Sequence, residues 1–104
     1  MSDSIALTEA VYYILLSLFN PMHGYGIMQN VFELTASRVN LAPGTLYGAI
    51  STMLEKGWIR ALPSEKNSRK KEYEITDIGK DVVESEIKRL QEMLGNGIEI
   101  LRRA

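Results

Sequence analysis

Four basic side chains lie within a short turn-rich segment, PSEKNSRKK, at residues 63–71. They are Lys66, Arg69, Lys70 and Lys71. Ammonium and guanidinium groups at this spacing can neutralise phosphates, and such contacts position a protein on a nucleic-acid backbone without reading its sequence. A charge cluster in a turn is also explained as a solvated loop. The interpretation therefore depends on the elements that hold the segment.

A second unusual segment, LAPGTLYGAISTMLEKGWI, occupies residues 41–59. At helical spacing its apolar stripe is Leu46, Ile50, Met53 and Leu54, with Ala49 at the edge. The opposite face has small side chains apart from Glu55: Gly44, Gly48, Ser51 and Thr52, flanked by Thr45, with Tyr47 on the shoulder. Each glycine inside a helix costs roughly 1 kcal/mol relative to alanine, so the bare face requires a reason.

The width of the DNA major groove offers one reason for this bare face. A helix with its side chains is about 10–12 Å across and the groove is about 12 Å wide, so a helix with a small outer face can lie deep in it. The alternative is that Gly44 and Gly48 accommodate another helix, or reflect weak local selection. The face lacks Arg, Asn and Gln, which argues against extensive base readout.

The charge distribution favours a phosphate-binding surface in the middle of the chain. Net charge is −1 over 104 residues, but residues 36–71 contain seven Lys or Arg and two acids. Residues 1–35 contain three acids and no Lys or Arg, and residues 72–104 contain eight acids and five bases. A local basic patch is the feature expected of a protein that binds nucleic acid.

The residue types argue against catalysis and metal binding. The chain has no cysteine and one histidine, His23, for which we expect a structural role in a turn. No phosphate-cradling glycine motif or nucleophile elbow occurs. We therefore expect no catalytic residues, no metal and no cofactor. No apolar run is long enough to span a membrane, which predicts a cytoplasmic protein without membrane association.

The order of predicted elements is helix, helix, helix, hairpin, helix. Helices are predicted at 8–19, 25–35 and 43–56, strands at 58–62 and 72–76, and a long final helix begins at Asp77 after a Thr76 cap. The fold class is therefore mainly α with a small β-hairpin: a winged helix-turn-helix plus a long C-terminal helix. We expect a DNA-binding domain at 1–76 and a dimerisation helix at 77–104, together forming one compact unit.

The final helix carries a single apolar seam. Its residues, spaced 4, 3, 4, 4 and 3 apart, are Val83, Ile87, Leu90, Leu94, Ile98 and Leu101. Such a seam needs a partner surface, so we predict a homodimer in which Val11 and Leu15 of the first helix also take part. The alternative is that the helix folds back on its own domain. Residues 95–97, GNG, indicate a kink, a close helix crossing or fraying.

Three motifs, in this order and at these separations, resemble those of the PadR-like transcriptional regulators. They are HGYGI at 23–27, the segment at 41–59, and RKKEYEITDIGK at 69–80. The resemblance covers nearly the whole chain and implies a dimeric bacterial repressor that binds a two-fold operator and is released by a small effector. With one helix after the wing, the chain is similar to the short-form members, whose C-terminal helix pairs with the partner's first helix.

The resemblance also places residues at the DNA. It assigns Thr45 and Tyr47 to the start of the recognition helix and the basic segment to the wing, while Tyr25 is either close to DNA or a packing residue. The full set predicted to bind DNA is Tyr25, Arg38, Gly44, Thr45, Tyr47, Gly48, Ser51, Lys66, Arg69, Lys70 and Lys71. The predicted partners are double-stranded DNA, a second copy of the chain and a small effector that the residues do not identify. The alternative function is a winged-helix module for protein interaction.

Overall fold

The computed structural model describes residues 6–63 and 71–104. The elements, in chain order, are α1 (Glu9–Ser17), β1 (Met22–His23), α2 (Gly24–Leu34), α3 (Pro43–Glu55), β2 (Ile59–Ala61), β3 (Glu72–Ile75) and α4 (Asp77–Arg103). This is the predicted winged helix-turn-helix followed by a long C-terminal helix, and the predicted fold class is confirmed. No helix within the described residues is both long enough and apolar enough to cross a bilayer.

Side chains cap three of the four helices at their N-termini. The Thr8 hydroxyl accepts from the Val11 amide of α1, and the Thr76 hydroxyl accepts from the Gly79 amide of α4. His23 Nδ1 accepts from the Gly26 amide of α2 at 3.2 Å, which gives the lone histidine the structural role expected of it. α3 begins instead with Pro43, and no side chain caps it.

The sheet has three antiparallel strands in the order β1-β3-β2. Ile59 pairs with Ile75 and Ala61 with Tyr73, which is the predicted hairpin. On its other edge β3 pairs with β1, where Met22 lies opposite Tyr73. The sequence predicted only the two strands of the hairpin, and β1 is a third strand that closes the open edge of β3.

The core lies between the three short helices and the inner face of the sheet. Its fully buried side chains are Ile14, Leu15, Leu18, Ile27, Val31, Leu46 and Met53. Leu54, predicted to lie in the buried stripe of α3, is exposed instead, and so is Leu34 of α2. Leu34 is 56% exposed because α2 ends there, and Leu54 is 38% exposed at the edge of the α3 stripe.

The end of α3 is joined directly to the start of α4. Gly57 follows the C-cap with φ of +74°, a left-handed conformation that favours glycine. The Thr76 hydroxyl donates to the Gly57 carbonyl at 2.6 Å and the Thr76 amide donates to the Trp58 carbonyl at 3.0 Å. At Gly79 a Cβ would overlap the Trp58 carbonyl oxygen, so glycine here permits the close approach of α4 to the residues that follow α3.

α4 extends well beyond the domain. Its 27 residues make a rod of about 40 Å, and the molecule measures 61 × 36 × 21 Å along its principal axes. The helix continues through Gly95 and Gly97, and no described residue outside this stretch of helix lies within 4 Å of where either Cβ would be. The GNG segment is therefore neither the end of the helix nor a close crossing within this chain.

Candidate nucleic-acid interface

The outer face of α3 is bare and open. Leu46, Ile50 and Met53 anchor the opposite face in the core. A Cβ built at Gly44 or Gly48 meets no atom within 4 Å. The other exposed residues of this face, beside the two glycines, are Thr45, Ser51, Thr52 and Glu55. No helix of the described chain lies against the glycines, so packing within the chain does not account for them.

Tyr47 lies at the edge of this face, against the start of α2. Its side chain is 48% exposed. The ring lies so close to buried Gly24 that a Cβ there would overlap the phenolic hydroxyl. Because residue 24 is glycine, the Tyr47 ring of α3 can lie against the start of α2. The ring thus forms a contact between the two helices of the helix-turn-helix.

Tyr25 is next to Gly24 and points outward. It is 61% exposed, and its hydroxyl accepts a hydrogen bond from Gln29 Nε2 at 3.1 Å. Of the two roles considered for Tyr25, burial in the core does not apply. Its exposed ring is free to meet a ligand beside the N-terminus of α2.

Arg38 lies in the connection between α2 and α3, where its guanidinium pairs with a carboxylate of α1. Arg38 Nη2 lies 2.5 Å from Glu9 Oε2. The hydrogen bond from Arg38 holds the pKa of Glu9 below its usual value, and the same bond raises the pKa of Arg38. Both side chains are exposed, so solvent screens the pair. A phosphate at this position would have to compete with Glu9 for the guanidinium.

The base of the wing is described, but its tip is not. Arg60 of β2 pairs across the hairpin with Glu74 of β3. Lys71 is exposed directly before β3. Three of the predicted wing contacts, Lys66, Arg69 and Lys70, lie outside the described residues, so the prediction of phosphate contacts there stays a prediction.

The predicted dimer seam divides into two parts. Leu15 and Val83 were assigned to the dimer interface, but they are 0% and 3% exposed within the chain's own core. That assignment is corrected, because the first turns of α4 pack on α1 and on β3. Val11 is half-buried on the same core. The remaining seam residues are exposed: Ile87, Leu90, Leu94, Ile98 and Leu101. The helix therefore folds back on its domain only at its start.

A buried ion pair marks the point where α4 leaves the domain. Glu86 is 3% exposed, accepts from Arg89 Nη2 at 2.6 Å, and accepts from the Leu7 amide at 3.4 Å. The hydrogen bond from Arg89 holds the pKa of Glu86 below its usual value, against the opposing effect of burial. The pair fixes the N-terminal segment before α1 to α4.

Analysis of the sequence missed one apolar surface. Tyr25, Met28 and Phe32 recur at i, i+3 and i+7 along α2, on a face separate from the buried Ile27 and Val31. The spacing was available in the sequence as a second stripe.

Within residues 6–63 and 71–104, no three His, Cys, Asp or Glu side chains come together as metal ligands.

Comparison with known proteins identifies what this arrangement is similar to. Residues 13–85 match the family model described as "Transcriptional regulator PadR-like family". A solved structure of a candidate transcriptional regulator from Thermoplasma acidophilum is 31% identical and superposes with a TM-score of 0.70, covering 89% of this chain and 90% of that one.

Two further relatives differ in how much of their length is shared. A PadR family transcription regulator from Clostridium difficile is 26% identical with a TM-score of 0.72, covering 88% of this chain and 97% of that one. A 37.1 kDa protein in a transposon of Streptomyces fradiae is 30% identical over 79 residues, which is 76% of this chain. The chain spans 22% of the length of that relative.

Proposed function

The chain belongs to the PadR-like family of transcriptional regulators, and from this premise we propose that it is a dimeric repressor of a two-fold operator. In this proposal α3 lies in the major groove, the wing lies along the backbone, and a small effector releases the DNA. That the chain is a DNA-binding regulator follows from the family. The dimer, the operator, the residues in contact with it and the effector are proposed.

The observation that carries the proposal is the bare face of α3. Gly44 and Gly48 have open space where side chains would lie, and the core holds the helix by its other face. Such a helix brings the Thr45 and Ser51 hydroxyls, together with its own backbone, close to the groove floor. Hydroxyls accept and donate, so they contact several bases and discriminate weakly among them.

Phosphate contacts are proposed around this helix. The start of α3 lacks a side-chain cap, so its first amides are free to meet an anion. Tyr47 places its hydroxyl against Gly24 at the start of α2, and Arg38 and Tyr25 lie on neighbouring segments. The wing adds Lys71, and we include Lys66, Arg69 and Lys70 on the strength of the sequence alone.

The dimer is proposed to form through the exposed part of α4. Leu94 is 64% exposed and Leu101 is 76% exposed, on a helix that extends away from its own domain. A row of such side chains is stabilised when a second helix covers it. The division into a DNA-binding domain at 1–76 and a dimer helix at 77–104 is part of the same proposal.

A capture experiment tests the operator proposal. Fragments of genomic DNA retained by the protein are sequenced, and we expect inverted repeats with half-sites about one helical turn, 10–10.5 base pairs, apart. Ser51→Glu places a carboxylate on the bare face and should abolish retention. Ser85→Glu is the matched control, because Ser85 is exposed on α4, opposite the seam. Retention that ignores sequence would favour the protein-interaction module instead. Sequence-specific retention that survives Ser51→Glu would refute the role of the bare face of α3.

Salt dependence tests the wing separately. Each phosphate contact contributes about −0.9 to the slope of log K against log salt, so Lys71→Ala should flatten the slope by up to about 2 in a dimer. The affinity for specific and non-specific DNA should fall by similar factors. A slope identical to that of the parent would show that the Lys71 ammonium is solvated and contacts no phosphate.

A further inference from the structure

The outer face of α2 carries two large exposed side chains, Tyr25 and Phe32, and also Met28, which is partly buried against the core. Ile27 and Val31 are fully buried, whereas Tyr25 and Phe32 are 61% and 39% exposed on another face with Met28 between them. One helix thus has two apolar stripes: the first is buried, and the second is exposed at Tyr25 and Phe32.

The exposed stripe forms one wall of a groove. The opposite wall is the segment that leads into α3, where Leu41 is buried at the base and Asn40 is exposed. The groove encloses about 560 Å³. Sites for small molecules typically enclose about 300–1,000 Å³, with apolar walls and a few polar groups.

The charge of the groove restricts what it can hold. Glu33 is the one charged side chain that lines it, and the glutamate makes no ion pair within the described residues. Residues 1–35 contain no Lys or Arg, so no base on α1 or α2 offsets this carboxylate. A carboxylate beside aromatic rings disfavours phosphate and favours a cation, which the ring faces also attract.

We propose that this groove binds a small organic ammonium compound with an aromatic ring. The aromatic part lies along Tyr25, Met28 and Phe32, where the thioether also contacts rings favourably. The ammonium lies at Glu33 on α2. The hydrogen bond from Gln29 to the Tyr25 hydroxyl holds one ring in place before binding, which lowers the entropy cost of forming the site. The proposal does not depend on operator binding.

Backbone amide shifts in nuclear magnetic resonance spectra of the free protein test the site. The probes are (1-naphthylmethyl)trimethylammonium and 1-naphthalenemethanol, which share the ring and differ in charge. We expect saturable shifts at residues 25–33 and 40–41, with the cation bound at least about five-fold more tightly than the alcohol. Equal affinity for the two probes would overturn the proposal. So would shifts confined to α1 and α4, or an absence of saturation, which would leave the face to a protein partner.

Two variants test separately how the Glu33 carboxylate and the Phe32 ring contribute to the affinity for the probes. Glu33→Gln should remove the preference for the cation while leaving the alcohol's affinity unchanged. Phe32→Ala should weaken both probes, and Glu84→Gln, an exposed carboxylate on α4, is the matched control and should change neither. If Phe32→Ala fails to fold, Glu33→Gln decides alone. A preference that persists in Glu33→Gln would overturn the assignment of the carboxylate.

Discussion

Replacing Gly48 with glutamine should stabilise the fold and weaken operator binding in the same protein. Among the described residues outside its own helix, none lies within 4 Å of a Cβ built at Gly48, so a Cβ there causes no overlap. Glycine costs about 0.8–1.0 kcal/mol relative to alanine within a helix, and glutamine recovers most of that difference. For a domain of this size, about 1 kcal/mol raises the melting midpoint by roughly 4–8 °C.

The loss of DNA affinity is estimated from the contacts that the bare face permits. Glutamine extends several bonds from the helix surface and would hold α3 away from the groove floor. If each half-site loses one hydrogen bond of about 1 kcal/mol, a dimer loses about 2 kcal/mol. That loss corresponds to roughly 30-fold in the dissociation constant. Gly48→Ala adds one carbon and should cost less affinity than Gly48→Gln.

The assay measures both properties on the same samples. Thermal melts at fixed protein concentration report stability, and fluorescence anisotropy with a captured operator fragment reports affinity. Gly95→Gln is the matched control, since Gly95 is also helical with open space at its Cβ. It should raise the melting midpoint without changing DNA affinity. A stabilised Gly48→Gln protein that binds its operator as tightly as the parent would refute the groove-entering role of α3.

Three further predictions concern the joint and the dimer helix. The double variant Leu90→Lys, Leu94→Lys places two charges in the proposed seam, where their desolvation costs several kcal/mol. Sedimentation should then show a monomer, and a dimer that persists would reject this interface. Gly79→Ala should destabilise the fold by about 1–3 kcal/mol in urea, because its Cβ overlaps the Trp58 carbonyl oxygen; unchanged stability would contradict the tight joint. The hydrogen bond from Arg89 keeps the pKa of Glu86 below 4.5. The stabilisation of the fold by the ionised Glu86 carboxylate is therefore complete above that pH and is lost as pH falls through the lowered pKa. From about pH 6 to about pH 3 the parent should therefore lose more stability than Glu86→Gln, and equal losses would show that the ion pair is not what titrates.

The elements with strong local signals were predictable from the sequence. The caps at Thr8 and Thr76, the glycine turn at Gly57 and the alternation of Tyr73 and Ile75 depend on contacts within a few residues. The bare face of α3 was also visible, because small residues at helical spacing are unusual. These features give the fold and the candidate recognition helix.

The features that depend on distant partners were not predictable in the same way. β1 is two residues long and exists because β3, some 50 residues later, offers an unpaired edge. A helical stripe shows which side chains share a face, but not which protein covers them. For that reason Leu15 and Val83 were assigned to a partner although their own domain buries them. For the same reason the stripe of Tyr25, Met28 and Phe32 was overlooked.

The direct joint between α3 and α4 has a consequence for the spacing of DNA sites. Thr76 bonds to Gly57 and to Trp58, and Gly79 leaves no gap beside that carbonyl, so the start of α4 is held against the residues that follow α3. In a dimer held through α4, the angle at which the two α4 helices cross would then set the distance between the two α3 helices. One inserted base pair would rotate a half-site by about 35°, and α3 would have to turn with α4 to follow it.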